Sequence, residues 1–334
     1  MLGVVANTVP RNDYAACTGC SLCLLVCPVW RETHDVRLTP HGRAKALQHG
    51  ATIADITEPI ESCTLCGACE PACPENIDLV GMIAGLRLQL PEDSKANARP
   101  STQLRARPST AGASAKRTIL LAGPSLRDRP ATLAHVVTLL GLSVGDDDGE
   151  DISFALETGS VISPLRLEEF LGPLRRRRQL VVADGLLHRH LRGWLPRTPI
   201  VSLGAALSRL PTVRRRLHAT DLYVIEPRGY HADYERQVRH YDTLRVETGC
   251  AINLDLQRIA IPATARSLPQ RLGRQAIDDT AQARWILHGR RVSRIVVESL
   301  EDADAFAQVA DCPVIHLADL LDSDDAQSTT SASW

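Results

Sequence analysis

Two textures of apolar and polar positions run along the chain. From residue 118 onward, short apolar runs alternate with stretches of helical spacing. Ile119-Leu120-Leu121-Ala122-Gly123, Leu142-Ser143-Val144, Leu180-Val181-Val182-Ala183 and Ile200-Val201-Ser202-Leu203 read as buried strands. The intervening 130–140, 165–174, 185–195 and the stretch up to Leu210 read as helices. Strands alternating with helices predict a mostly parallel sheet covered by helices. The pattern then returns. Leu222-Tyr223-Val224-Ile225-Glu226-Pro227 answers the run at 119, Ile295-Val296-Val297-Glu298 answers the run at 180, and Pro313 to Leu321 answers Pro199 to Leu207. A duplicated α/β unit is expected, with halves over 117–217 and 218–322.

The first 91 residues lack this texture. Residues 1–14 read as a loose arm. Pro40 and Gly42 break the stretch between Val29 and Ser62, and a helix is expected to start at Arg43. Ile77 to Arg87 has the spacing of an amphipathic helix, with Asn76 or Asp78 near its start. Glu92 to Lys116 is rich in Ser, Ala, Pro and Arg and reads as a flexible linker. The tail 323–334 is polar and expected to fray. The fold class is therefore α+α/β: a helical domain over 1–91, then the linker and the duplicated α/β domain.

Cysteine placement changes the picture of the first domain. Eight of the ten cysteines fall in two runs of identical spacing, Cys17, Cys20, Cys23, Cys27 and Cys63, Cys66, Cys69, Cys73, each closed by proline. Both read C-x2-C-x2-C-x3-C-P, the spacing of a protein that holds two [4Fe–4S] clusters. Three thiolates at steps of three wrap one cubane, and the fourth ligates the other cluster in two-cluster proteins. Cys17, Cys20, Cys23 and Cys73 are thus assigned to cluster 1, and Cys63, Cys66, Cys69 and Cys27 to cluster 2. Zinc knuckles are the competing reading, but structural zinc favours two separated pairs around a tetrahedron. A disulfide framework suits small secreted domains better than one end of a long chain.

The net charge of −1 provides no global attraction to nucleic acid. Only three of the 38 basic residues are lysines, Lys45, Lys95 and Lys116. Residues 1–13 show no basic segment followed by an apolar one, and no apolar run has membrane-spanning length. A cytoplasmic, reducing setting is expected, with membrane association only through partners. No glycine-rich phosphate fingerprint follows an apolar strand, so no nucleotide or flavin site of its own is expected.

With these residues in view, segment 13–90 resembles the dicluster α-helical ferredoxin domain of the glycolate oxidase iron–sulfur subunit. The same domain occurs in related subunits of lactate oxidation, anaerobic glycerol-3-phosphate dehydrogenase and heterodisulfide reductase. Thr39-Pro40-His41-Gly42-Arg43 stands where those proteins carry Ser-Pro-Arg-Gly-Arg. The resemblance implies electron transfer between a flavin-containing dehydrogenase subunit and a quinone or other acceptor. It also implies a duplicated domain with a Cys-Cys-Gly motif in each half. Here the chain departs from the pattern: Gly145 to Glu150 and Ile259 to Ala263 stand in those places, and the region's thiols are Cys250 and Cys312. A degenerate copy kept for docking is expected, without iron or a disulfide-reducing site. The competing functions are a heterodisulfide-type reductase, which the missing motifs disfavour, and an adaptor whose clusters only stabilise the fold.

The remaining candidates have ordinary structural readings. Cys250 and Cys312 are expected to act as small buried hydrophobes. His188 and His190 are two apart on a helix and face different ways. Asp146 to Asp151 lacks calcium-loop spacing and is expected to be a solvated loop. Arg175 to Arg178 and Arg214 to Arg216 suit helix ends, with docking to an acidic partner as the alternative. Gly42 and Arg43 offer either a turn with a capping charge or a role beside a cluster. Leu22, Leu24, Leu25, Val26, Leu65 and Ile77 are expected to shield the clusters, with Trp30 packed near one.

Overall fold

A computed structural model of the chain describes residues 12–91 and 118–321, apart from 256, 276, 277 and 279. Most of the expected N-terminal arm, the linker over 92–116 and the tail over 323–334 lie outside the described residues.

The N-terminal region is helical: α1 (Leu22–Val26), α2 (Pro28–Thr33), α3 (Pro40–Gln48), α4 (Thr57–Ser62) and α5 (Leu79–Leu88). Proline starts α2 and α3 rather than breaking them. At the first helical position its missing N–H costs no hydrogen bond and its φ is already set. Helix α3 therefore begins at Pro40, not Arg43, and the Thr39 hydroxyl caps it by accepting from the Gly42 amide. Asp78 does the same for α5 by accepting from Gly81.

After residue 118 come two parallel four-stranded sheets. The first contains β1 (Thr118–Leu121), β2 (Ser143–Val144), β3 (Gln179–Val182) and β4 (Ile200–Ser202), ordered β2-β1-β3-β4. The second contains β5 (Asp221–Val224), β6 (Ala251–Ile252), β7 (Arg294–Val297) and β8 (Val314–His316), ordered β6-β5-β7-β8. Leu120 pairs with Val181 in one sheet and Tyr223 with Val296 in the other. Side chains alternate across each strand, so each sheet has two apolar faces. Leu120, Val181, Tyr223 and Val296 share one core between the sheets. Ile119, Leu121, Leu180 and Val182 pack outward under helices, as do Leu222, Val224, Ile295 and Val297.

Several helices differ from expectation. Gly123–Arg127, Glu150–Thr158 and Tyr234–Thr248 are helical where the sequence reading placed none. The acidic run is not a solvated loop. Asp147 and Asp151 both pair with Arg166, Asp148 pairs with Arg127, and Glu150 and Asp151 begin the new helix. Carboxylates suit a helix's first turn because its amide ends carry partial positive charge.

The helical region packs directly on the α/β region. Ile56, Ile60, Val80, Ile83 and Leu86 share a core with Leu186 and Leu268. Arg189, on the helix Gly185–Trp194, makes a two-pronged bridge to Glu70 at 2.7 Å on each side and reaches Asp78 at 3.0 Å. The Arg189 side chain is 8 % exposed and that of Glu70 2 %, so the attraction acts with little solvent screening.

Candidate metal centre

The two cysteine runs bend the same way at equivalent places. Positive φ occurs at Gly19 and Ser21 in the first run and at Leu65 and Gly67 in the second. These are the third and fifth positions from the first cysteine in each run. Left-handed residues in alternation curl a chain tightly, and curled backbone of this type presents amide groups to anions. At Leu65 the left-handed turn is unfavourable for a side-chain-bearing residue by roughly 1–2 kcal/mol. The Leu65 side chain is buried at 2 % exposure, so packing holds it there.

The curled runs surround two cavities. Cys17, Cys20, Cys23 and Cys73 line one, beside His41, Glu75 and Ile77. Cys27, Cys63, Cys66 and Cys69 line the other, beside Arg43, Leu65 and Val80. Each cavity thus draws three thiols from one run and the last thiol of the other run. Pro40 and Leu79 line both cavities and form part of the partition between them. These are the first residues of α3 and α5, so the helix starts set the separation. Among the described residues, no three His, Cys, Asp or Glu side chains gather around a point suited to a single metal ion. The thiols instead surround a volume.

Burial shapes the chemistry of these thiols. Burial, then the neighbouring Cys27, pushes Cys23 up to about 12. Burial raises Cys66 to about 11 and Cys69 well above the ordinary thiol range. Cys27 is also raised by burial, with Arg43 pulling it back down. Buried thiols such as Cys27, Cys66 and Cys69 ionise readily only beside cationic metal, so the sulfur-rich donor set fits a thiolate-ligated cluster.

Residues 13–77 match the family profile of a 4Fe-4S dicluster domain. The match takes in all eight cysteines of the two runs and supports [4Fe–4S] cluster binding and iron–sulfur electron transfer by this region. No curated protein and no solved structure matches the chain.

The α/β region closes over the second cavity. Arg228 Nη2 donates to the Thr64 carbonyl at 3.0 Å and to Glu157 at 2.6 Å. Burial would raise Glu157, but Arg228 and Arg271 outweigh it and hold the carboxyl at about 2. His231 Nδ1 lies 2.8 Å from the Cys66 carbonyl oxygen, and its Nε2 accepts from the Ala260 amide. The accepting Nε2 leaves the proton on Nδ1, which donates to Cys66. Gly67 lets this happen: a Cβ there would stand 3.0 Å from His231 Cβ.

Arg43 is not a capping charge on a turn. It is 1 % exposed, lines the second cavity, and donates from Nη1 to the Leu38 and Pro59 carbonyls at 2.7 Å each. Gly42 is required because a Cβ would strike the Val36 carbonyl oxygen at 2.1 Å. Arg87, equally buried, donates to the Cys63 carbonyl and, at 2.6 Å, to that of Glu157. The shielding set divides. Val26, Leu65 and Ile77 are buried, but Leu22 is 40 % and Leu25 65 % exposed because the short α1 buries only Val26 fully. Trp30 packs against Cys27, Val29 and Leu38.

Beyond the cysteines lies a cleft of about 350 Å³ that sequence reasoning missed. Its walls come from the carboxyl ends of strands in both sheets, including Ala122, Ala183, Glu226 and Glu298, and it touches Thr64 and Cys66. Ligands of open α/β sheets favour this end of the strands. Burial raises three of its carboxyls: Glu226 to about 8, Asp302 to about 7 and Glu298 to about 6. Cys250 is a buried small hydrophobe at 1 % exposure, and Cys312 packs at the edge of the second sheet's core.

Proposed function

We propose that the chain is the electron-transfer subunit of a multi-subunit oxidoreductase and holds two [4Fe–4S] clusters. Cys17, Cys20, Cys23 and Cys73 would hold one, and Cys63, Cys66, Cys69 and Cys27 the other. The observation that carries this reading is the division of the eight thiols between two adjoining cavities with the last cysteines exchanged. When bound, such clusters accept and release single electrons. The chain's own residues fix their spacing through Pro40 and Leu79, exclude water from the second site, and surround it with positive charge.

The partner reading follows from the resemblance of 13–90 to the glycolate oxidase subunit. A flavoprotein dehydrogenase would supply electrons, and a quinone or another redox protein would take them. The α/β halves, over 117–217 and 218–322, act as the docking body. Among the described residues no helix is long and apolar enough to cross a membrane.

Anaerobic purification tests the cluster reading. About eight irons per chain and two reducible paramagnetic signals are expected. Cys73→Ser should weaken the signal assigned to Cys17, Cys20 and Cys23, and Cys27→Ser the signal assigned to Cys63, Cys66 and Cys69. The opposite pattern refutes the exchange of ligands, and zinc in place of iron refutes the whole reading. Co-purification of the untagged partners identifies the flavoprotein.

The cleft favours a second reading, in which the acceptor is a small molecule bound on this chain. A bulky lining substitution, Ala183→Trp, should then slow reoxidation of the reduced protein by a water-soluble benzoquinone. Unchanged reoxidation assigns the acceptor site to another subunit.

A further inference from the structure

We propose that Arg43 and Arg87 are electrostatic positioning residues for the second thiol site, where their guanidiniums raise the reduction potential of the bound cluster. This rests on the two-cluster reading above. Both side chains are 1 % exposed. Arg43 lines the cavity with Cys27, Cys63, Cys66 and Cys69, and Arg87 is hydrogen-bonded to the backbone of Cys63. The carbonyls they bind are neutral: Leu38 and Pro59 for Arg43, Cys63 and Glu157 for Arg87. Arg43 thus meets no carboxylate among these partners, and the Glu157 carboxylate that attracts Arg87 is itself bridged directly by Arg228 and Arg271. In each, Nε is buried without a protein partner. That leaves two N–H donors for sulfur or for a bridging water.

The nearby carboxylates are already matched. Glu70 is held by both prongs of Arg189, and Glu157 by Arg228 and Arg271. The first site differs. Cys20 is exposed, Glu75 lines the cavity, and the nearby cation is Lys45, which donates to the Cys17 carbonyl at 2.8 Å and is shared with Gln48.

Each one-electron reduction adds a negative charge. In a buried site that charge is poorly solvated, so burial alone lowers the potential. Two nearby guanidiniums oppose this, and solvent ions do not screen them well. Without them much more of the burial cost stands, although Arg31 also acts on Cys27 and Cys66, and an electron would leave the site on the α/β side. With them, the site that touches the cleft through Cys66 can hold it.

The test is a potentiometric titration of the full chain, purified without oxygen and followed by electron paramagnetic resonance. Cys20→Ser identifies which wave belongs to the first site. In Arg43→Gln the reduced-to-oxidised ratio of the second cluster at a fixed potential should fall at least tenfold, about 59 mV for one electron. The first cluster should move less than about threefold by the same scale. Arg43→Lys keeps the charge but loses the fork, and should stay near wild type. An unshifted second wave in Arg43→Gln with both clusters present overturns the proposal. So does an equal fall in Arg43→Lys, which would mark a packing effect. If Arg43→Gln does not assemble, the wild type decides: molar salt should leave the second wave in place while moving the first. Equal movement of both overturns the proposal. A wild type without two cluster signals removes the underlying reading, whereas two signals and an unmoved variant remove this inference alone.

Discussion

The two thiol sites come from runs of the same spacing and the same backbone curl, yet their surroundings differ. The first faces outward, with Cys20 exposed and the end of Lys45 beside Gly19. The second is roofed by another part of the chain. Cys27 and Cys66 are buried, and Arg228, His231 and Arg189 reach its run from the α/β region. A local motif can therefore specify which atoms gather, while the body it docks on sets the solvent and the charge they experience. Two copies of one motif become chemically unlike partners through tertiary packing alone.

The largest test of that contrast is the Glu70–Arg189 bridge. Removing one partner in Glu70→Ala leaves a buried guanidinium short of charge and should cost about 3–5 kcal/mol in denaturant unfolding. In the surface pair Asp35–Arg37, just beyond α2, Arg37→Ala should show no measurable loss. Equal losses would erase the distinction between the roofed and open sides.

A loss of similar size should follow acidification. Burial, then Arg192 and Arg236, pushes His188 down to about 3, well below the free imidazole range. The unfolded chain then binds the proton first. Stability attributable to His188 is present above about pH 6.5 and drains away as pH falls toward 3, on the order of 3–5 kcal/mol in all. His188→Leu should flatten that part of the pH profile of the denaturation midpoint. An unchanged slope would mean that His188 is solvated in the folded chain.

Packing provides the next step down. Ile83→Ala empties a position 1 % exposed beneath the second site and should cost about 2–5 kcal/mol. Leu25→Ala, on the open α1 beside the first site, should change stability by less than about 0.5 kcal/mol. The smallest difference is between two glycines. Both Gly67→Ala and Gly19→Ala pay for a left-handed backbone, roughly 1 kcal/mol each. Gly67→Ala also presses on the His231 Cβ, close to its backbone, whereas Gly19→Ala meets only the far end of the long Lys45 side chain. Gly67→Ala should therefore be the worse variant in a melting curve.

The two cysteine runs were legible because their internal spacing is a local property. Strands such as 180–183 were legible because apolar runs of that length suit a sheet buried on both faces. The helix at α3 was misread at its start because Pro40 was taken as a breaker rather than as a first-turn residue. The helix Glu150–Thr158 was hidden by acids that look like a loop but suit a helix N-terminus. Tyr234–Thr248 fully buries only Gln237, Tyr241 and Leu244, too narrow a stripe to stand out among its charges. Arg87 stood at the end of an otherwise apolar helix, which was the one local hint of a buried charge. The cleft left no trace in any window of sequence, since its walls come from strand ends spread between residues 122 and 298.

The approach of His231 to Gly67 also bears on the order of assembly. With a ring seated against that glycine and bonded to the neighbouring carbonyl, the second run is enclosed once the α/β body has docked. On the proposed two-cluster reading, iron for Cys63, Cys66 and Cys69 would have to arrive before that closure, whereas the exposed Cys20 would stay open to later loading. That reading would give the chain a loading order, inner site first and outer site last.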